Sequence, residues 1–161
     1  MHYCRYKQFL KEKFNVNDLL QQAINNLHPL AAEKNANIQT TFSSAGIMVT
    51  ADKYYMLLTF INLIENAIKY SANPKINIST YTEGHDCCIA VNDNGIGISE
   101  ENQKKIFNRF FRVTEGDLHT TKGFGLGLNF VKKIVEEHGG KIEVKSEPGI
   151  GSTFIIKIPQ H

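Results

Sequence analysis

The segment 52–69 constrains the fold more than any other part of this chain. Met56, Leu57, Leu58, Phe60, Ile61, Leu63, Ile64, Ala67 and Ile68 make it apolar almost all round at helical periodicity. A helix apolar on every side belongs inside a domain, so the rest of the chain must supply layers around it. One narrow polar stripe interrupts it: Thr59, Asn62, Asn66 and Lys69 fall at i, i+3, i+7 and i+10, on a single face. A buried amide left unpaired costs ~1–3 kcal/mol. A lone buried Asn is ordinarily satisfied by neighbouring backbone, but two Asn and a Lys aligned on one face point to a polar cavity.

The layers around this helix can be read in outline. Tyr3, Tyr6, Leu10 and Phe14 recur at helical spacing, which predicts the tail of a helix over residues 3–14. Residues 15–18 supply an N-cap, and Leu20, Ala23, Ile24 and Leu27 mark the buried stripe of the next helix, with His28-Pro29 inside it. Two short strands follow, around Ile38, Thr40 and Phe42 and around Ile47-Met48-Val49. Beyond the central helix, Ile76, Ile78 and Thr80 alternate along a strand that turns at residues 83–86 into a second at 87–91. Ser99 caps a short helix, a further helix runs to His138 and ends at Gly139-Gly140, and strands at 141–146 and 153–158 close the chain. Hairpins mixed with helices predict an α+β fold, a two-layer sandwich whose mixed, mostly antiparallel sheet is covered on one face by helices. At 161 residues there is room for one such domain.

Composition excludes several classes. Lys plus Arg number 18 against 16 for Asp plus Glu, a net charge of +2 that gives no basic surface for nucleic acid, so any anion site must be local. No apolar run approaches the ~18–20 residues a membrane helix needs, and the N-terminus has no signal-peptide core. Three cysteines, Cys4, Cys87 and Cys88, have no framework spacing and suit a reducing compartment. His85, Cys87 and Cys88 lack the spacing of a four-ligand zinc site.

Two glycine loops carry the remaining signal. Asp93-Asn94-Gly95-Ile96-Gly97-Ile98 leaves a strand with a strong acceptor and glycines that permit close backbone approach. Gly123-Phe124-Gly125-Leu126-Gly127-Leu128 opens directly into a helix, whose unpaired N–H groups and positive dipole end favour phosphate. Neither loop matches the Rossmann or P-loop pattern, and the motifs of ordinary protein kinases are absent.

Five ordered segments, Asn62-Leu-Ile-Glu-Asn66-Ala-Ile-Lys-Tyr70, Asp93-Asn-Gly-Ile-Gly-Ile98, Ile106-Phe-Asn-Arg-Phe-Phe-Arg112, Gly123-Phe-Gly-Leu-Gly-Leu128 and Gly149-Ile-Gly-Ser-Thr-Phe154, closely resemble the N, G1, F, G2 and terminal glycine boxes of the ATP-binding domain of bacterial sensor histidine kinases. That group belongs to the superfamily of gyrase-type, chaperone and mismatch-repair ATPases. The resemblance spans residues 15–159 and implies a Bergerat ATP-binding fold that uses ATP and Mg²⁺. It implies that Asn66 holds Mg²⁺ on the phosphates, with Asn62 lining the same face. Lys69 would contact phosphate, and Tyr70 would pack against adenine. Asp93 would accept from the adenine amino group, with Gly95, Gly97 and Ile98 beside the base and Ser152 supporting the aspartate. Arg112 and Arg109 would approach the phosphates. The backbone of Gly123, Gly125, Leu126 and Gly127 would wrap them, with residues 113–122 as the lid.

One position bears on the reaction. In the hydrolysing relatives a Glu one helical turn before the metal-binding Asn activates water; here that position is Asn62, whose amide cannot take a proton near pH 7. The resemblance therefore favours phosphoryl transfer, with Asn62, Lys69 and Arg112 as the catalytic set; Glu65 lies roughly 100° round the helix from Asn66. None of the six histidines is followed by an acidic residue and a proline, the setting of the phosphoacceptor in these kinases. The expected organisation is thus residues 1–14 as the end of an upstream dimerisation helix and 15–161 as the catalytic domain. The expected partners are a separate histidine-bearing dimerisation domain and, downstream, a response regulator receiver domain, with no nucleic acid. The chain alone is expected to be monomeric and cytoplasmic, and its parent a homodimer and possible inner-membrane receptor. The alternatives are a serine kinase of the anti-sigma-factor type and a non-catalytic nucleotide-binding module.

Overall fold

The computed structural model describes residues 8–109, 111 and 127–160. Its elements run β1 (Lys11–Asn15), α1 (Val16–Asn26), α2 (His28–Glu33), β2 (Asn37–Thr41), β3 (Met48–Asp52), α3 (Lys53–Lys69), β4 (Lys75–Glu83), β5 (Asp86–Asp93), α4 (Glu100–Gln103), α5 (Gly127–Glu137), β6 (Lys141–Glu147) and β7 (Gly151–Pro159). A five-stranded sheet has the order β2-β4-β5-β7-β6. Its β2–β4 pair is parallel and the other three pairs are antiparallel. Helix α3 packs between α1 and α5 and against β5, while α5 also reaches β6 and β7. The expected sandwich is therefore present, with α3 at its centre.

Burial explains the arrangement. Met56, Phe60, Leu63, Ile64 and Ile68 of α3 are at most 1% exposed, and each such side chain contributes roughly 1.5–3 kcal/mol relative to exposure. They meet alternate residues of the sheet: Ile76 and Ile78 on β4, Ile89 and Val91 on β5, Phe154 and Ile156 on β7. Asp52 starts α3 by accepting from the Tyr55 N–H at 3.2 Å, and Ser99 caps α4 from the Asn102 N–H at 3.2 Å.

Two local expectations are corrected. Residues 11–15 form a strand, not a helix end: β1 pairs antiparallel with β3, Phe14 opposite Val49. The apolar spacing that suggested a helix places Phe14 in the core, while Leu10 is 82% exposed and buries nothing. The helix expected to run through His28-Pro29 breaks at Leu27, and Pro29 sits in the first turn of the separate α2. Proline lacks an N–H donor and disfavours helical backbone in the residue before it, so a new start there costs less than continuation.

Candidate nucleotide-binding site

The polar face of α3 meets the start of α5. Asn62, Glu65, Asn66 and Lys69 are half-buried along α3. A Cβ built on Gly127 would lie 3.5 Å from Asn62 Oδ1 and 4.0 Å from Asn66 Nδ2, so the first turn of α5 comes against both amides. Its N–H groups have no partner within the helix and carry the positive end of the dipole. Among the described residues neither amide makes a hydrogen bond, so both are available to a ligand. Thr59 leaves the stripe: it is fully buried and donates to the Tyr55 carbonyl at 2.9 Å, closing on its own helix. Lys69 is held 2.8 Å from Glu65, one turn earlier, which partly neutralises its charge.

The other end of the cleft is built on the sheet. Ser146, Ser152 and Asp93 are register partners across β6, β7 and β5, and Ile76 continues the row on β4. The neighbouring row is Val144, Phe154, Val91 and Ile78, so the polar residues form the last row of the core face. Asp93 Oδ1 accepts from Gly95 N–H at 2.9 Å and Ser152 N–H at 3.3 Å. Burial pushes the Asp93 carboxyl above the usual carboxylate range, against the opposing pull of those two hydrogen bonds. Among the described residues nothing donates to Oδ2, which leaves a partly desolvated acceptor without a donor there.

The loop after Asp93 is tied down at nearly every residue. Asn94 accepts from Lys75 N–H at 2.8 Å and donates to the Asn73 carbonyl at 3.0 Å. Ile96 N–H donates to the Tyr70 carbonyl at 3.2 Å, and Gly149 N–H to the Ile96 carbonyl at 2.7 Å. Gly97 has φ +72, and a Cβ there would collide with the Glu147 carbonyl and Pro148, so only glycine fits. Ile98 is held on both sides: its N–H donates to Ser146 Oγ at 2.7 Å and its carbonyl accepts from Gln103 Nε2 at 2.8 Å. Such a loop has little ordering left to do when a ligand arrives.

The structure places Asn62, Asn66 and Lys69 along α3, with Gly127 against the two amides, and Asp93, Gly95, Gly97, Ile98 and Ser152 at the end of β5, in the loop after it and at the start of β7, where a Cβ on Gly95 would meet the Tyr70 carbonyl. Tyr70 caps the C-terminal end of α3, 39% exposed, with its carbonyl engaged by the loop. Arg112, Gly123, Gly125 and Leu126 lie outside the described residues, as does the expected lid at 113–122. Arg109 lines an open groove with Phe107, Asn129, Lys132 and Glu136. That groove shares no residue with the cleft. Cys87 and Cys88 are adjacent on β5 and so point to opposite faces; burial pushes the Cys87 thiol up to about 12, and the pair does not converge on an ion. Sequence reasoning missed Ser146 and Gln103, whose role appears only once β6 and α4 are brought beside the loop.

Comparison with known proteins places this chain in a family. Residues 51–161 match the model of the histidine kinase-, DNA gyrase B- and HSP90-like ATPases, and the chain belongs to that family. The sensor protein RprX of Bacteroides fragilis is 38% identical over 159 residues, covering 96% of this chain and 31% of that protein. The catalytic domain of histidine kinase ThkA, solved free of nucleotide, superposes with a TM-score of 0.82 at 31% identity, covering 93% of this chain and 95% of that one. Histidine kinase ThkA in complex with the response regulator TrrA matches with a TM-score of 0.78 at 28% identity, covering 94% of this chain and 42% of that one. Within the family the chain is thus an ATP-binding catalytic domain of the sensor histidine kinase kind. It spans about a third of the length of the curated relatives it matches. No helix among the described residues is long and apolar enough to cross a membrane.

Proposed function

We propose that this domain binds Mg·ATP with adenine at Asp93 and the triphosphate between the Asn62–Asn66 face and the start of α5. It then donates the γ-phosphate to a histidine on a separate dimerisation domain, from which a response regulator receives it. The observation that carries the reading is the approach of Gly127 to both amides, with Asp93 held at the far end of the same cleft. Asp93 Oδ2 accepts from the adenine amino group, while Gly95 and Ser152 keep Oδ1 fixed. Tyr70, at the end of α3, flanks the base. The donor set suits magnesium: Asn62 and Asn66 offer neutral hard oxygens, and such an ion completes its shell with phosphate oxygens and water. Bound there, it would neutralise charge on the phosphates during transfer.

The remaining chemistry is positioning. Asn62 accepts no proton, so this wall orients phosphate without activating water. Lys69 reaches phosphate by exchanging its Glu65 partner for an oxygen of the nucleotide. We extend the phosphate-binding set to Arg112, Gly123, Gly125 and Leu126 on the family pattern; Arg109 joins it by leaving the separate groove it lines beside α5. Incubated alone with γ-labelled ATP, the chain is expected to bind nucleotide and gain no acid-labile label. Adding the dimerisation domain of its own kinase is expected to label that domain on histidine. Self-labelling at His28, or labelling confined to serine, would overturn the reading.

A further inference from the structure

We propose that Ser146 is a positioning residue for base recognition, whose hydroxyl locks the Gly97–Ile98 loop to the strand that holds Asp93 and so sets the preference for adenine over guanine. This rests on the reading that adenine lies at Asp93. Ser146 Oγ has three neighbours: Ile98 N at 2.7 Å, the Gly151 carbonyl at 3.0 Å and Ser152 Oγ at 2.6 Å. Hydrogen-bond chemistry fixes the direction of each. The Ile98 amide can only donate and the Gly151 carbonyl can only accept, so the single Ser146 proton goes to Gly151 and the Ser152 hydroxyl must donate to Ser146. Every site on the Ser146 oxygen is then used. Ser152 is left with its backbone N–H, not its hydroxyl proton, to support Asp93.

The consequence for the ligand is geometric. Both edges of the base pocket meet at this one oxygen: the loop through Ile98 and the β7 start through Gly151, the residue before the N–H that holds Asp93. Gln103 closes the clamp from α4, donating to the carbonyls of Ile98 at 2.8 Å and Ser146 at 3.0 Å. Adenine and guanine differ where Asp93 reads them, an amino donor against a carbonyl acceptor. A carboxylate rejects the carbonyl only if it cannot swing away or admit a water. The Ser146 clamp removes that freedom.

The test is calorimetric titration of the full chain with ATP, GTP and inorganic triphosphate, each with Mg²⁺. In Ser146→Ala, ATP affinity is expected to fall about five- to tenfold, the scale of one neutral hydrogen bond. GTP is expected to fall less, so the ATP/GTP ratio narrows, while triphosphate binds as before. Ser146→Thr is expected to restore the ratio, and Gln103→Ala to narrow it in the same direction. An unchanged ratio in Ser146→Ala, or an equal loss for all three ligands, overturns the proposal. Should that variant melt below the assay temperature, an unchanged ratio in Gln103→Ala does so instead. If the unaltered chain prefers neither nucleotide, or Asp93→Asn leaves ATP binding intact, the adenine assignment itself falls and the Ser146 proposal with it.

Discussion

Replacing Asp93 with Asn separates what the carboxylate does for the ligand from what it does to the fold. The Asn carbonyl can keep both hydrogen bonds now made to Oδ1, from Gly95 and Ser152. What changes is the other atom, which turns from a charged acceptor into an NH₂ donor facing the adenine amino group. A hydrogen bond to a charged group contributes ~1.5–3 kcal/mol, so ATP affinity should fall about 10- to 150-fold. GTP should lose less or gain, because guanine presents an acceptor at that point. The empty domain should respond the other way. Burial raises the Asp93 pKa in the folded state. Between the ordinary carboxylate range and that raised value the folded chain binds the extra proton, and stability falls as pH climbs through the window. At neutral pH the ionised Asp93 is therefore a cost, and Asp93→Asn should melt higher than the unaltered chain, with the gap closing on acidification. Calorimetric titration and thermal melting at neutral and acidic pH measure both halves. Unchanged ATP affinity, or a lower melting temperature at neutral pH, would refute the reasoning.

Other expectations follow from the same geometry. Asn66→Ala should abolish the Mg²⁺-dependent increment of ATP affinity, at least about tenfold, since even residues that merely support metal ligands have effects of that size; titration with and without EDTA measures it. Gly97→Ala must place a Cβ into the Glu147 carbonyl at φ +72. It should cost at least about 2–3 kcal/mol and lower the melting temperature by roughly 4–12 °C, with amide exchange rising over residues 94–99. Ile64→Ala, at a fully buried position on α3, should cost about 2–5 kcal/mol by denaturant titration, since the site lies between two packed helices and the sheet and cannot collapse easily.

Much of this fold was legible because its signals are local. The all-round apolar α3 with its start at Asp52, the β4–β5 hairpin and the Ser99 cap are each written within a few residues. What escaped depends on partners distant in sequence. Residues 11–15 have helix-like apolar spacing, but their backbone is claimed by β3 some 40 positions later. Only the tertiary pairing decides between two patterns that short stretches satisfy equally well. The break before Pro29 did have a local signal, the restriction proline imposes on its predecessor. In the site, types and spacing marked Asn62, Asn66 and Asp93, but could not show Thr59 turning back on its own helix or Glu65 engaging Lys69. Ser146 and Gln103 carry no motif at all; they matter because of what β7 and the loop place beside them.

The row that joins Ser146, Ser152 and Asp93 also governs which insertions and deletions this gene can tolerate. Turn tips usually accept added residues, and the tips at 84–85 and 148–150 are solvent-facing. Yet side chains alternate along a strand, so a change in turn length that slips β5 by one residue turns Asp93 to the open face of the sheet and brings Asn92 or Asn94 into its place, and one that slips β7 does the same to Ser152. Either slip separates Asp93 from the Ser152 N–H. A single-codon insertion in either hairpin is thus expected to act as a mutation of the base pocket while altering none of the residues that line it.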